Sequence, residues 1–278
     1  MTTSTDLIGK VAFITGAARG IGSGIAEILS DRGAIVAVSD IDKNNFTELE
    51  KYITDKGSKI ITGSVDVTDQ ISIKKFVDEV IDKYGQIDIC VPNAGVIGTK
   101  GLDKRKDFID EDWGITWDVN VKGVVNTVNA LKDHMKSNNS GKIIIIASHG
   151  GRKPRGIGDK GRGTGQQPYM VSKAAAIQFM HMSAIELGKY NINVNAVCPG
   201  RLWTPMWEAI AINNKEVNPD YADIEPYNIF LEQIKAIMPL GRPQTPHDIG
   251  KTVAFLSSDD ASEITGQAIN VNGGAILN

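Results

Sequence analysis

The chain has 278 residues, 41% of them hydrophobic and 23% charged, with a net charge of -3. That length is ample for a sizeable core, in one large α/β domain or two small ones. The charge argues against non-specific nucleic-acid binding. The longest strongly apolar runs, such as Ile143 to Ala147, are far too short to span a bilayer.

Short apolar runs alternate with longer amphipathic segments. Strands are predicted at Val11-Ile14, Ile35-Ser39, Ile60-Val65, Ile87-Val91, Lys142-Ala147, Ile192-Val197 and Ala268-Val271. Several are almost continuously apolar, as in parallel sheets covered on both faces. Helices are predicted at Ile21-Asp31, Lys43-Lys56, Ile71-Tyr84, Trp113-Asn138, Tyr169-Lys189 and His247-Ser257. This β-α-β-α rhythm predicts a single-domain, Rossmann-like doubly wound parallel sheet over residues 1–278, with helices on both faces. Two segments break it. Residues 149–167 are Gly-rich and basic, and about 203–239 hold aromatic and apolar residues that suit a small helical substrate lid. Cys90 and Cys198 fall in apolar runs and read as buried thiols in a reducing compartment. The polar start, Met1 to Asp6, lacks the features of a signal peptide, so a cytoplasmic protein is expected. The four histidines show no metal spacing, and no metal site is expected.

The first predicted strand runs into Thr15-Gly16-Ala17-Ala18-Arg19-Gly20-Ile21-Gly22, and a helix follows. Glycines permit a tight turn and close approach of backbone to a pyrophosphate, while the helix start offers N–H groups. Asp40 ends the second strand, about 20 residues past the glycines, where a carboxylate hydrogen-bonds the adenosine ribose and repels a 2′-phosphate. NAD is therefore predicted over NADP, although Arg19 could meet a 2′-phosphate. Asp66, after the third strand, could accept from the adenine amino group or cap a turn. Tyr169 and Lys173 stand at i and i+4 on one helix face. A free phenol has a pKa of about 10, and a nearby cation favours the phenolate, so such a pair can exchange a proton with an alcohol or carbonyl.

These residues resemble the short-chain dehydrogenase/reductase family. The matches are Thr15 to Gly22, Asp66-Val67, Asn93-Ala94-Gly95, Asn120, Ser148, Tyr169-x-x-x-Lys173, Pro199-Gly200 and the C-terminal run from Pro239 to Gly274. The resemblance implies a nicotinamide dinucleotide and an alcohol–carbonyl interconversion. It makes Tyr169 the proton donor or acceptor, with Lys173 lowering its pKa and binding the nicotinamide ribose. Ser148 would hydrogen-bond the substrate oxygen, and Asn120 would kink its helix and hold a water in the relay. Asn93, Ala94 and Gly95 would flank the cofactor, and Pro199, Gly200, Leu202 and Thr204 would contact its nicotinamide end. The resemblance also implies a homotetramer built through the 113–138 and 169–189 helices.

Ser148 and Tyr169 are 21 residues apart, more than is usual in the family, and the intervening loop holds five basic residues against one acidic. Arg152, Lys153, Arg155, Lys160 or Arg162 could bind an anionic substrate group, or the loop could be solvated. His149, Trp203 and Trp207 are further candidate substrate contacts. The leading expectation is an NAD-dependent oxidoreductase acting on a small secondary alcohol of the polyol, sugar or hydroxy acid class, or on its ketone. An NADP-dependent 3-oxoacyl thioester reductase and a catalytically silent dinucleotide-binding protein are the alternatives.

Overall fold

The computed structural model describes residues 6–42, 45–102, 108–153 and 167–277. Seven strands form one wholly parallel sheet: β1 (Val11–Thr15), β2 (Ile35–Asp40), β3 (Ile60–Ser64), β4 (Ile89–Val91), β5 (Gly141–Ile146), β6 (Ile192–Pro199) and β7 (Ala268–Val271), in the order β3-β2-β1-β4-β5-β6-β7. Successive side chains on a strand point to opposite faces, and here both faces are apolar. Phe13, Ile143 and Ile145 enter one core layer, whereas their neighbours Ile14, Ile144 and Ile146 enter the other. The first layer packs under α3 (Gln70–Tyr84), α5 (Gly123–Ser137) and α6 (Gln167–Leu187) through Val77, Leu131 and Met180. The second packs under α1 (Gly20–Asp31), α2 (Thr47–Asp55) and α9 (Pro246–Ser257) through Ile25, Leu29, Ile53 and Val253. Each such side chain stabilises the fold by about 1.5–3 kcal/mol relative to exposure.

Strand order reverses between β1 and β4, so their carboxyl ends open a crevice at a topological switch point. The predicted 113–138 helix is longer and is interrupted. It begins as α4 (Asp110–Trp117), passes through a π-helical turn at Asp118–Lys122, and continues as α5. The kink expected at Asn120 is this π-turn, a device common at functional sites. The segment expected to form a lid holds α7 (Pro205–Val217) and α8 (Pro226–Ile237). Thr204 caps α7 by accepting from the Trp207 N–H, and Thr245 and Asp248 form a capping box at α9. Among the described residues, no helix is long and apolar enough to cross a membrane, and no group of three His, Cys, Asp or Glu side chains could hold a metal ion.

Candidate active site

A cleft of about 430 Å³ lies over the carboxyl ends of the strands. The glycine loop forms one end of it. Gly16 and Gly20 have φ of +65° and +64°, the left-handed region that glycine tolerates. A Cβ at Gly16 would stand 2.7 Å from the Ala94 Cα, and one at Gly22 would stand 2.4 Å from the Gly16 carbonyl oxygen. Asn93 braces this turn from β4, its Nδ2 donating to the Thr15 and Gly16 carbonyls at 2.9 and 2.8 Å. Arg19 precedes α1 with no side-chain cap, and no acidic residue lies in the helix's first turn. The start of α1 therefore keeps its N–H groups and positive dipole end for an anion, which suits a pyrophosphate.

Gly16, Arg19, Gly20 and Ile21 line this end of the cleft, together with Asp40, Asp66 and Val67. The Asp40 carboxylate is aimed by the Ala18 N–H, which donates to Oδ2 at 3.2 Å. Asp66 makes the turn expected as its alternative role: Oδ1 accepts from the Thr68 N–H and hydroxyl at 2.9 and 2.8 Å. Asn93, Ala94 and Gly95 line the middle, and Pro199, Gly200, Leu202, Thr204 and Trp207 the far end.

Ser148, Tyr169 and Lys173 line the same cleft. Ser148 follows β5, and its Oγ accepts from the Gly150 N–H at 3.1 Å. Its side chain also acts on the Tyr169 phenol, favouring the ionised form. Burial pushes the Tyr169 pKa up, and Ser148 opposes that shift. The sequence suggested a phenol made more acidic by Lys173. In the structure desolvation of the buried phenol is the larger effect, and burial also lowers the Lys173 pKa, to about 8. Asn120 is fully buried one layer behind. Its Oδ1 accepts from the Val96 N–H at 2.8 Å, and its Nδ2 donates to the Val96 carbonyl at 2.9 Å and Ser172 Oγ at 3.0 Å. The amide thus clamps the turn after β4 to α6, which carries Tyr169 and Lys173.

Four residues expected at the site, Gly22, His149, Arg152 and Trp203, are not part of the cleft wall. Gly22 lies behind the loop rather than in the cleft wall. Arg152, a candidate for an anionic substrate group, donates from Nη1 to the Ala268 carbonyl on β7 and lies beside the Cys198 thiol. A guanidinium has several donors, and a strand-end carbonyl beside it is a ready acceptor. His149 and Trp203 are not among the residues that wall the cleft. Trp203 packs into an aromatic cluster with Tyr227 and Phe230, at 5.0 and 5.2 Å between ring centres. Arg155, Lys160 and Arg162 lie outside the described residues. Gln244 gave no signal in the sequence. Its Oε1 accepts from the Gly200 N–H at 3.0 Å and its Nε2 donates to the Val271 carbonyl, so it ties the Pro199-Gly200 turn to β7.

A glycine-walled cradle at a switch point, joined to a buried Ser-Tyr-Lys set, is the site of a dinucleotide-dependent oxidoreductase. A family model described as enoyl-(acyl carrier protein) reductase matches residues 16–275. The chain is 35% identical to the 3-oxoacyl-(acyl-carrier-protein) reductase FabG of Thermotoga maritima, over 98% of this chain and 99% of that protein. Its fold superposes on a carveol dehydrogenase from Mycobacterium avium solved in complex with NAD, with a TM-score of 0.86, 31% identity and coverage of 98% and 99%. An NAD+-bound xylitol dehydrogenase gives 0.85 at 29% identity, covering 96% of this chain and 99% of that one. The chain belongs to the short-chain dehydrogenase/reductase family, whose members bind a nicotinamide dinucleotide.

Proposed function

We propose that the chain oxidises a small secondary alcohol of the polyol, sugar or hydroxy acid class to its ketone with NAD, and runs the reverse reduction. The observation that carries this reading is that Ser148, Tyr169 and Lys173 wall one cleft together with the glycine turn and Asp40. Bound NAD supplies the hydride acceptor, and the protein supplies alignment and proton handling. Ser148 would hold the alcohol oxygen, and the Tyr169 phenolate would accept the hydroxyl proton as the carbinol carbon gives up hydride to the nicotinamide. In reduction Tyr169 returns that proton to the ketone oxygen. Lys173 fixes the nicotinamide ribose and favours the phenolate, while Asn120 and the π-turn hold the relay in place. Gly16, Gly20, Ile21 and Gly22 shape the pyrophosphate cradle. The Asp40 carboxylate takes the adenosine ribose hydroxyls and disfavours a 2′-phosphate. Asp66 and Val67 border the adenine.

A second reading, reduction of a 3-oxoacyl thioester with NADPH, is favoured by the similarity to the Thermotoga maritima reductase and by Arg19 in the cleft wall. A panel of secondary alcohols, polyols and hydroxy acids with NAD and NADP, followed at the NADH absorbance, separates the two when a 3-oxoacyl thioester with NADH and NADPH is included. Turnover of an alcohol with NAD supports the first reading. Turnover of the thioester alone, with a preference for NADPH, replaces it.

The enzyme is proposed to act as a homotetramer. Trp113 and Trp117 on α4, and Val171, Met182 and Ile185 on α6, are large exposed apolar side chains on the two helices expected to pair. Light scattering gives the mass directly, and a monomer would contradict the assignment.

A further inference from the structure

Arg201 follows the Pro199-Gly200 turn and is only 8% exposed. Its backbone is held by the Gln244 N–H, which donates to the Arg201 carbonyl at 3.3 Å. Its side chain reaches beneath the lid helices. The guanidinium carbon lies 4.9 Å from the centre of the Trp207 ring, and Nη1 donates to Gln233 Oε1 on α8 at 3.2 Å. The Trp207 ring also meets Phe230, at 5.7 Å and an interplanar angle of 55°. Arg201 is absent from the cleft wall, whereas Trp207 is part of it, together with Ser148 and Tyr169. The cation therefore acts on the site through the indole.

We propose that Arg201 is a positioning residue that fixes the Trp207 indole as the substrate-side wall of the cleft. The inference rests on the reading of that cleft as an alcohol-oxidising site. A planar guanidinium can stack on an indole while its in-plane N–H groups hydrogen-bond a neighbour, which an ammonium cannot do. Here the cation–π contact and the Gln233 bond occur together, so one side chain links the base of α7 to α8. Turning the indole would break a partly desolvated cation–π contact and disturb the packing on Phe230. The wall facing the alcohol thus keeps its shape when the cleft fills. The effect falls mainly on the substrate side, because the Arg201 side chain meets Gln233 and Trp207 on the lid helices, away from the pyrophosphate end.

The test is a double-mutant cycle on the secondary alcohol that the wild type oxidises best. Arg201→Met and Trp207→Ala are each expected to lower kcat/KM about tenfold, the size of a partly buried cation–π contact. The loss should fall on the KM for the alcohol, with the KM for NAD unchanged. The double variant should be no worse than Trp207→Ala alone, and Arg201→Lys should recover part of the loss. Wild-type kcat/KM in Arg201→Met, or a double variant whose loss is the product of the two single losses, overturns the proposal. A wild type that oxidises no alcohol sinks the functional reading instead. Positioning is then read by fluorine NMR of protein labelled with 5-fluorotryptophan, the Trp207 signal being assigned with Trp207→Phe. That signal should shift and broaden in Arg201→Met while those of Trp113 and Trp117 stay in place. An unmoved Trp207 signal overturns the proposal whatever the activity.

Discussion

The Lys173 ammonium lies 5.7 Å from the centre of the Tyr169 ring and donates a 2.9 Å hydrogen bond to the carbonyl of Ile146, the last residue of β5. The bond ties the proton-handling helix to the strand that delivers Ser148 two residues later. The distance between the phenol and the cation is thereby set by the sheet.

Holding Lys173 there opposes folding. Lys173 is 3% exposed, and burial lowers its pKa from 10.5 to about 8. Between those values the folded chain has lost a proton that the unfolded chain keeps. Stability therefore rises with pH across that window, and the cost of burying the charge is fully present below about pH 8. Lys173→Met removes this cost but leaves the Ile146 carbonyl without its donor at every pH. In thermal melts without cofactor, the Tm of the variant relative to wild type should be highest near pH 7 and fall steadily towards pH 10. A difference independent of pH would contradict the assignment.

Tyr169 gives a pH dependence of activity. Its pKa is raised by burial and partly restored by Ser148. Alcohol oxidation uses the phenolate, so kcat/KM should rise with pH, and ketone reduction, which uses the phenol, should fall. Replacing Ser148 with Ala removes that opposing influence, and the oxidation limb should move to higher pH in the residual activity. A limb that moves to lower pH would contradict the role given to Ser148.

Asp40 is expected to set the choice of cofactor. Asp40→Ser removes a carboxylate that lines the cleft and is held by the Ala18 N–H. The KM for NAD should rise about tenfold, the loss of a charge-assisted hydrogen bond of about 1.5 kcal/mol. The KM for NADP should fall, with Arg19 available to the 2′-phosphate. Steady-state kinetics with both cofactors measure this, and an unchanged NAD/NADP ratio would remove Asp40 from the account.

Gly22 tests the cradle. A methyl there would meet the Gly16 carbonyl at 2.4 Å and Asn93 Nδ2 at 2.6 Å, the two groups that brace the turn against β4. Gly22→Ala should weaken NAD binding by at least about tenfold in calorimetry, since one overpacked contact costs about 1–3 kcal/mol. NAD binding equal to wild type would show that the turn yields without consequence.

Much of this was legible in the sequence because it is local. The strand runs read directly, since alternate residues of one strand feed two apolar layers, as Phe13 and Ile14 do. The Tyr169–Lys173 pair needs only helical spacing, and the glycine turn only its neighbours. What the sequence hid depends on chain segments far apart. That Arg152 meets the Ala268 carbonyl could not be read from the sequence, because β7 lies more than a hundred residues further on. Gln244 and Arg201 act through Gly200, Val271, Gln233 and Trp207, and no spacing rule links those positions. The side chain of Asn120 carried a motif signal, but its use in clamping Val96 to Ser172 follows only from the π-turn that turns it inward.

Tyr169 is the group proposed to move the proton. Tyr169→Phe keeps the ring and removes only the oxygen. With the best secondary alcohol and saturating NAD, kcat should fall by about 10²–10⁴, while the Kd for NAD, measured by calorimetry on the same preparation, stays within about twofold. A variant that keeps kcat within a few-fold of wild type would contradict the central claim.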